Sequence, residues 1–168
     1  MVADGTDITV DIERRKAIVS YGRRNVPDGE FYFTPNHLKT VGTIFYDWPT
    51  VYGGCEFQGI RLTFKEGKIV EATAEKGAGI SGKILNTDEG ARYLGEFGIG
   101  TNYGITKPSK NILFDEKIGG SVHLAVGAAY EQPGKQSANH WDMVKNLNND
   151  GEIYLDDKLV QKNGEWVF

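Results

Sequence analysis

With 168 residues, a net charge of −4 and a pI near 5.4, the chain suffices for one domain that buries roughly two-thirds of its unfolded surface. Its basic residues are scattered apart from Arg14-Arg15-Lys16 and Arg23-Arg24, which excludes a nucleic-acid footprint. A single cysteine, Cys55, excludes an intrachain disulfide and a multi-cysteine zinc site, fits a reducing compartment, and leaves His, Asp and Glu as available metal ligands.

No run approaches the length needed to cross a bilayer, and Met1 to Asp7 lacks the basic flank and apolar core of a signal peptide. The expected location is cytoplasmic, with neither a membrane nor a nucleic acid as partner. Glycine is abundant, 22 of 168 residues against 5 prolines, without repeats or low complexity, which points to tight turns in a packed β-rich domain.

In chain order, Ile8 to Ile12 and Ala17 to Tyr21 alternate apolar and polar, so the opening reads as two strands joined by the charged turn Glu13 to Lys16. Asn25-Val26-Pro27-Asp28-Gly29 supplies turn chemistry, and Glu30 to Thr34 reads as a strand with Glu30 and Tyr32 on one face and Phe31 and Phe33 on the other. Gly42 to Tyr46 is a further strand. Gly59 to Phe64 and Ile69 to Ala74 form a hairpin turning at Lys65 to Lys68. Thr87 has the chemistry of an N-cap, with Asp88 and Glu89 suited to the helix dipole, so a short helix is expected through Leu94 with Glu96 just past its end.

Ser121 to Val126 alternates again and places His123 and Ala125 on one face. After Tyr130 and a step containing Pro133-Gly134, His140-Trp141-Asp142 sets a histidine and a carboxylate on the same strand face, with Trp141 turned away from them. His37 reads as a surface-loop residue. The tail from Glu152, punctuated by Asp150-Gly151 and Asn163-Gly164, reads as a closing β-meander. The expected class is α+β, predominantly β: an antiparallel or mixed sheet or partly closed barrel with one or two short helices, in a single domain over 1–168.

Between Gly95 and Asp142, two of three histidines and several carboxylates lie among glycines and small apolar residues, where ionised groups are costly unless something binds them. A divalent cation is the simplest candidate, and Glu30, Glu96, His123, His140 and Asp142 offer the imidazole and carboxylate donors that zinc, cobalt, manganese or magnesium accept. On spacing alone the reading stays open. His-x-Asp on a strand also arises by chance, a strand histidine also serves as a hydrogen-bonded structural residue, and no His-Glu-x-x-His motif is present.

The strings N-V-P-D-G-E, T-D-E-G-A-R-Y-L-G-E-F-G-I-G-T-N, F-D-E-K-I-G-G-S-V-H-L-A-V-G-A-A-Y and H-W-D-M-V resemble the catalytic domain of the thermophilic-type metalloaminopeptidases, the family of aminopeptidases T and S. The resemblance covers about Gly5 to Phe168. It implies a two-metal exopeptidase acting on the N-terminal residue of a peptide through a metal-activated water. The implied metal ligands are Glu30, Glu96, His123, His140 and Asp142, with Glu96 as the bridge. Tyr130 is the implied catalytic-site residue, a donor to the oxyanion; a core tyrosine is its alternative. Glu116 reads as a general base or a partner of a ligating histidine, or else as part of a solvated cluster, Asp115-Glu116-Lys117. Homodimers and an N-terminal α/β domain that this sequence does not include are also implied. The competing class is a β module that binds metal or a peptide partner without turnover.

Overall fold

The computed structural model describes residues 1–23, 25–131 and 134–168, and places 80 and 81 within a helix without their side chains. Arg24 and Pro133, named above in a basic pair and a turn, lie outside the described residues. The elements are β1 (Val2–Ala3), β2 (Thr6–Thr9), β3 (Ile18–Ser20), β4 (Glu30–Phe33), β5 (Val41–Tyr46), β6 (Thr50–Tyr52), β7 (Cys55–Phe57), β8 (Ile60–Lys65) and β9 (Lys68–Thr73). There follow α1 (Ala78–Ile84), β10 (Leu94–Gly100), α2 (Ile112–Asp115), β11 (Ser121–Gly127), β12 (His140–Asn146), β13 (Glu152–Leu155), β14 (Lys158–Lys162) and β15 (Glu165–Trp166).

An eight-stranded sheet, ordered β15-β14-β13-β1-β2-β5-β8-β9, and a five-stranded sheet, ordered β12-β11-β10-β4-β3, are both antiparallel and open, with the hairpin β6-β7 beside them. Neither closes into a barrel. Alternation decides which face each strand buries: Ile60, Leu62 and Phe64 of β8 point inward while Arg61 and Lys65 face water. These residues, with Ile8, Ile44 and Tyr46, meet Phe97, Ile99, Val122, Leu124, Val126, Trp141 and Met143 of the five-stranded sheet in one core. Trp141 is buried against Phe57 and Tyr52, away from the site face.

The β8–β9 hairpin turns through Glu66 and Gly67 at φ 49° and 79°, the two left-handed residues of a type I′ turn. A Cβ at Gly67 would also lie 1.7 Å from the His37 carbonyl oxygen. His37 itself is half-buried, its ring edge-on to Tyr93 at 5.8 Å, rather than a free surface residue.

Two expectations are corrected. The first two strands are not a hairpin: β2 pairs with β1 and β5, whereas β3 pairs with β4 in the other sheet. Of the strand expected over Ile8 to Ile12 only Ile8 and Thr9 lie in β2, and the alternation carried no information on partners.

The helix expected from Thr87 to Leu94 is also absent. Thr87 Oγ1 donates back to the Ile84 carbonyl at 2.8 Å, so it closes α1 instead of opening a helix. The Asp88 carboxylate accepts from the amides of Gly90 and Ala91 as a cap would, but it is also held by Ser137 Oγ and the Ala138 amide, which fix a turn. Leu94 is then drawn into the core and begins β10, placing Glu96 inside a strand.

Candidate metal centre

The outer face of the five-stranded sheet carries the site, and backbone register sets it. Gly98 of β10 sits between Tyr32 of β4 and His123 of β11, Gly100 faces Glu30, and Ala125 faces Asp142 of β12. Side chains on one face of adjacent strands thus converge around two small residues. A Cβ at Gly98 would lie 2.1 Å from the His123 ring, so the glycine is what lets the imidazole lie across β10.

Glu96 reaches this face through an irregularity. In a regular strand Leu94 and Glu96 would share a face, yet Leu94 is in the core. The register shifts between them, one extra residue at Gly95 turns the strand over, and Glu96 faces the histidines.

The five residues converge as a chain of contacts. His123 Nε2 is 3.0 Å from Glu96 Oε1 and 3.5 Å from Glu30 Oε2, and His140 Nε2 is 3.2 Å from Asp142 Oδ2 and 3.9 Å from Glu96 Oε2. Each oxygen of Glu96 therefore faces a different histidine. Donor atoms about 2.1 Å from a common tetrahedral ion stand about 3.4 Å apart, which is the spacing seen here. Donor atoms of Glu30, Glu116 and His123, and those of Glu96, His123 and Asp142, form two groups within 4.8 Å.

Burial tests the fit. Glu30, Glu96 and His123 are 6%, 5% and 0% exposed, and Glu30 Oε2, Glu96 Oε2 and Asp142 Oδ1 are buried without a hydrogen-bond partner among the described residues. Orphaned carboxylate oxygens that deep are costly, and a cation satisfies them. His140 Nδ1 bonds the Ala128 carbonyl at 2.7 Å, so the proton belongs on Nδ1 and Nε2 is left for a ligand, the arrangement of metal-binding histidines. The residues present fit divalent ions bound by imidazole and carboxylate.

Without an ion these pairs titrate unusually. Burial depresses the imidazolium of His123, but the hydrogen bond and charge of Glu96 outweigh it and raise its pKa to about 9. His140, likewise opposed by burial, is raised to about 9 chiefly by Asp142. Burial pushes Glu116 up to about 7.

Beside these candidate ligands lies an open cavity of about 390 Å³ lined by Ile18, Tyr32, Leu113, Glu116, Tyr130 and Glu131, among others. Tyr130 is no core residue. It is 63% exposed, its ring 4.9 Å from that of His140 and 5.9 Å from that of Tyr32, and burial of its hydroxyl end with the charge of Glu96 raises its pKa.

The sequence Asp115-Glu116-Lys117 is not a solvated cluster either. Asp115 is buried and accepts from the amides of Ser109 and Lys110, and Lys117 is wholly buried between Glu30 and Glu116. Lys117 went unnoticed by sequence reasoning. Its one signal is the run Ile118-Gly119-Gly120 that follows it, too small and apolar for a solvated face.

Comparison with known proteins places the chain in a family. The chain is 32% identical to aminopeptidase AmpS of Bacillus subtilis over an alignment 199 positions long, covering 99% of this chain and 48% of that protein. The solved structure of wild-type AmpT from Thermus thermophilus superposes with a TM-score of 0.83 at 28% identity, across 98% of this chain and 48% of that one. A dioxygenase from Pseudomonas putida KT2440 shares the fold at a TM-score of 0.72 and 21% identity, so the fold alone does not decide the reaction. The chain spans about half the length of the curated relatives it matches. The model of the thermophilic metalloprotease (M29) family matches residues 1–166, and the chain belongs to that family.

Proposed function

We propose that this chain carries the catalytic centre of an aminopeptidase that holds two divalent ions and removes the N-terminal residue of peptides. Glu30 and His123 would hold one ion and His140 and Asp142 the other, with Glu96 offering one oxygen toward each. The observation that carries this is the division of Glu96, with Oε1 on His123 and Oε2 toward His140, beside buried carboxylate oxygens that have no hydrogen-bond partner among the described residues.

Bound divalent ions supply Lewis acidity toward a carbonyl oxygen and a water that loses its proton near neutral pH. The protein's own groups do the rest. Glu116, on the cavity wall, accepts and returns the proton that water and leaving amine exchange. The Tyr130 phenol, held in its protonated form by its surroundings, donates to the oxyanion that develops on the scissile carbonyl. The carboxylate of Glu131 at the cavity offers a partner for the ammonium of a free N-terminus, which favours exopeptidase chemistry.

Cleavage of leucine p-nitroanilide, beside its N-acetylated form, tests the reading. Zinc- or cobalt-supplemented protein should cleave the free-amine substrate and spare the acetylated one. Cleavage of both at equal rates would contradict an aminopeptidase.

A further inference from the structure

Lys117 is 0% exposed, an unusual state for an ammonium group, and no step above uses it. Its backbone is fixed: the Lys117 amide bonds the Phe114 carbonyl at 3.2 Å, and its carbonyl accepts from the Asn102 amide at 2.9 Å. Asn111 caps the turn of α2 just before it. The side chain is thereby delivered into the site from the segment that also carries Glu116.

Its contacts are selective. Lys117 Nζ lies 3.0 Å from Glu30 Oε1 and is also hydrogen-bonded to Glu116 Oε1. The other oxygen of Glu30, Oε2, is left facing His123 at 3.5 Å without a hydrogen bond among the described residues. One carboxylate oxygen is thus occupied by the ammonium and the other presented to the position between Glu30 and His123.

We infer that Lys117 is a positioning residue for the metal centre: it pins Glu30 as a one-oxygen ligand and holds Glu116 at the cavity wall, so that the ion position shared by Glu30 and His123 is preformed. The inference rests on the functional reading above. Two physical effects oppose each other here. An ammonium near a cation repels it, so its removal alone would tighten binding; loss of an outer partner that orients a ligand weakens binding by about 10–100-fold. The geometry favours orientation, because Lys117 engages the Glu30 oxygen that does not face His123.

Zinc titration of the full chain against a chromophoric chelator, with the visible absorption of the cobalt form as a second readout, tests this. Lys117→Met should weaken one of two binding events by about 10–100-fold, leave the other within twofold, and change the cobalt spectrum. Lys117→Gln, which keeps an N–H donor for Glu30, should lose less and decides the matter if the methionine variant does not fold. Lys145, 2% exposed and 3.3 Å from Asp47 on the other face of β12, supplies the control: Lys145→Met should bind zinc as the parent does. Unchanged or tighter zinc binding in folded Lys117 variants would overturn the inference, whereas absence of zinc binding by the parent chain would overturn the functional reading instead.

Discussion

The eight-stranded sheet keeps one face dry and the other wet, whereas the inner strands of the five-stranded sheet are covered on both. In β8, buried Ile60, Leu62 and Phe64 alternate with exposed Arg61 and Lys65; in β10 and β11 every residue is buried. The second covering is the site itself, a face of Glu30, Glu96, His123 and Lys117 instead of an apolar layer. One sheet draws its stability from apolar burial, and the other accommodates clustered charge that the proposed cations would offset. The proposed site sits where one sheet departs from the pattern of its neighbour.

The comparison can be broken by paired substitutions. Leu62→Ala in the eight-stranded sheet should cost about 2–5 kcal/mol of stability while zinc stoichiometry stays unchanged, measured by denaturant unfolding and metal analysis of the folded protein. Gly98→Ala should do the reverse. Its Cβ displaces the His123 ring, so zinc affinity should fall by about 10–100-fold, as when ligand orientation is lost, with a smaller change in unfolding free energy. Equal loss of zinc binding in both variants would show that the two regions are not separable.

The pH dependence of the metal-free protein sharpens the contrast further. His123 and His140 titrate near 9 in the fold against an ordinary 6.5, so their stabilisation is complete below about 6.5 and is lost as pH rises through 9. Glu116, raised from 4.5 to about 7, favours its protonated form in the fold and so costs stability over that interval in the same direction. Thermal melts without metal should therefore fall in midpoint from pH 5 to pH 9. Saturating zinc should flatten the profile, because the ligands then exchange protons for metal. A metal-free midpoint that climbs across this range would contradict the site's charge pattern.

Legibility followed the same division. The β8–β9 hairpin and the β13–β15 meander were readable because polar turn residues interrupt clean alternation, and β4 showed its two faces in Glu30, Tyr32, Phe31 and Phe33. β10 was not readable. Leu-Gly-Glu-Phe-Gly-Ile-Gly is buried on both faces and bulged at Gly95, so no period survives, and the polar run before it imitated a helix start. The five candidate ligands, which the fold brings together, were legible because histidines and carboxylates stand out against glycine. Lys117 was missed because a lysine beside acidic residues looks the same in sequence whether it is solvated or sealed under a sheet.

Metal stoichiometry tests the central claim most directly. Protein purified without a histidine tag, loaded with zinc and freed of excess ion, should retain about two ions per chain, the number a two-metal hydrolytic site requires. His123→Ala, whose strand is held by Val122, Leu124 and Val126 in the core, should fold and retain fewer. A parent chain that retains no zinc, or a His123→Ala variant that retains as much as the parent, would contradict the account.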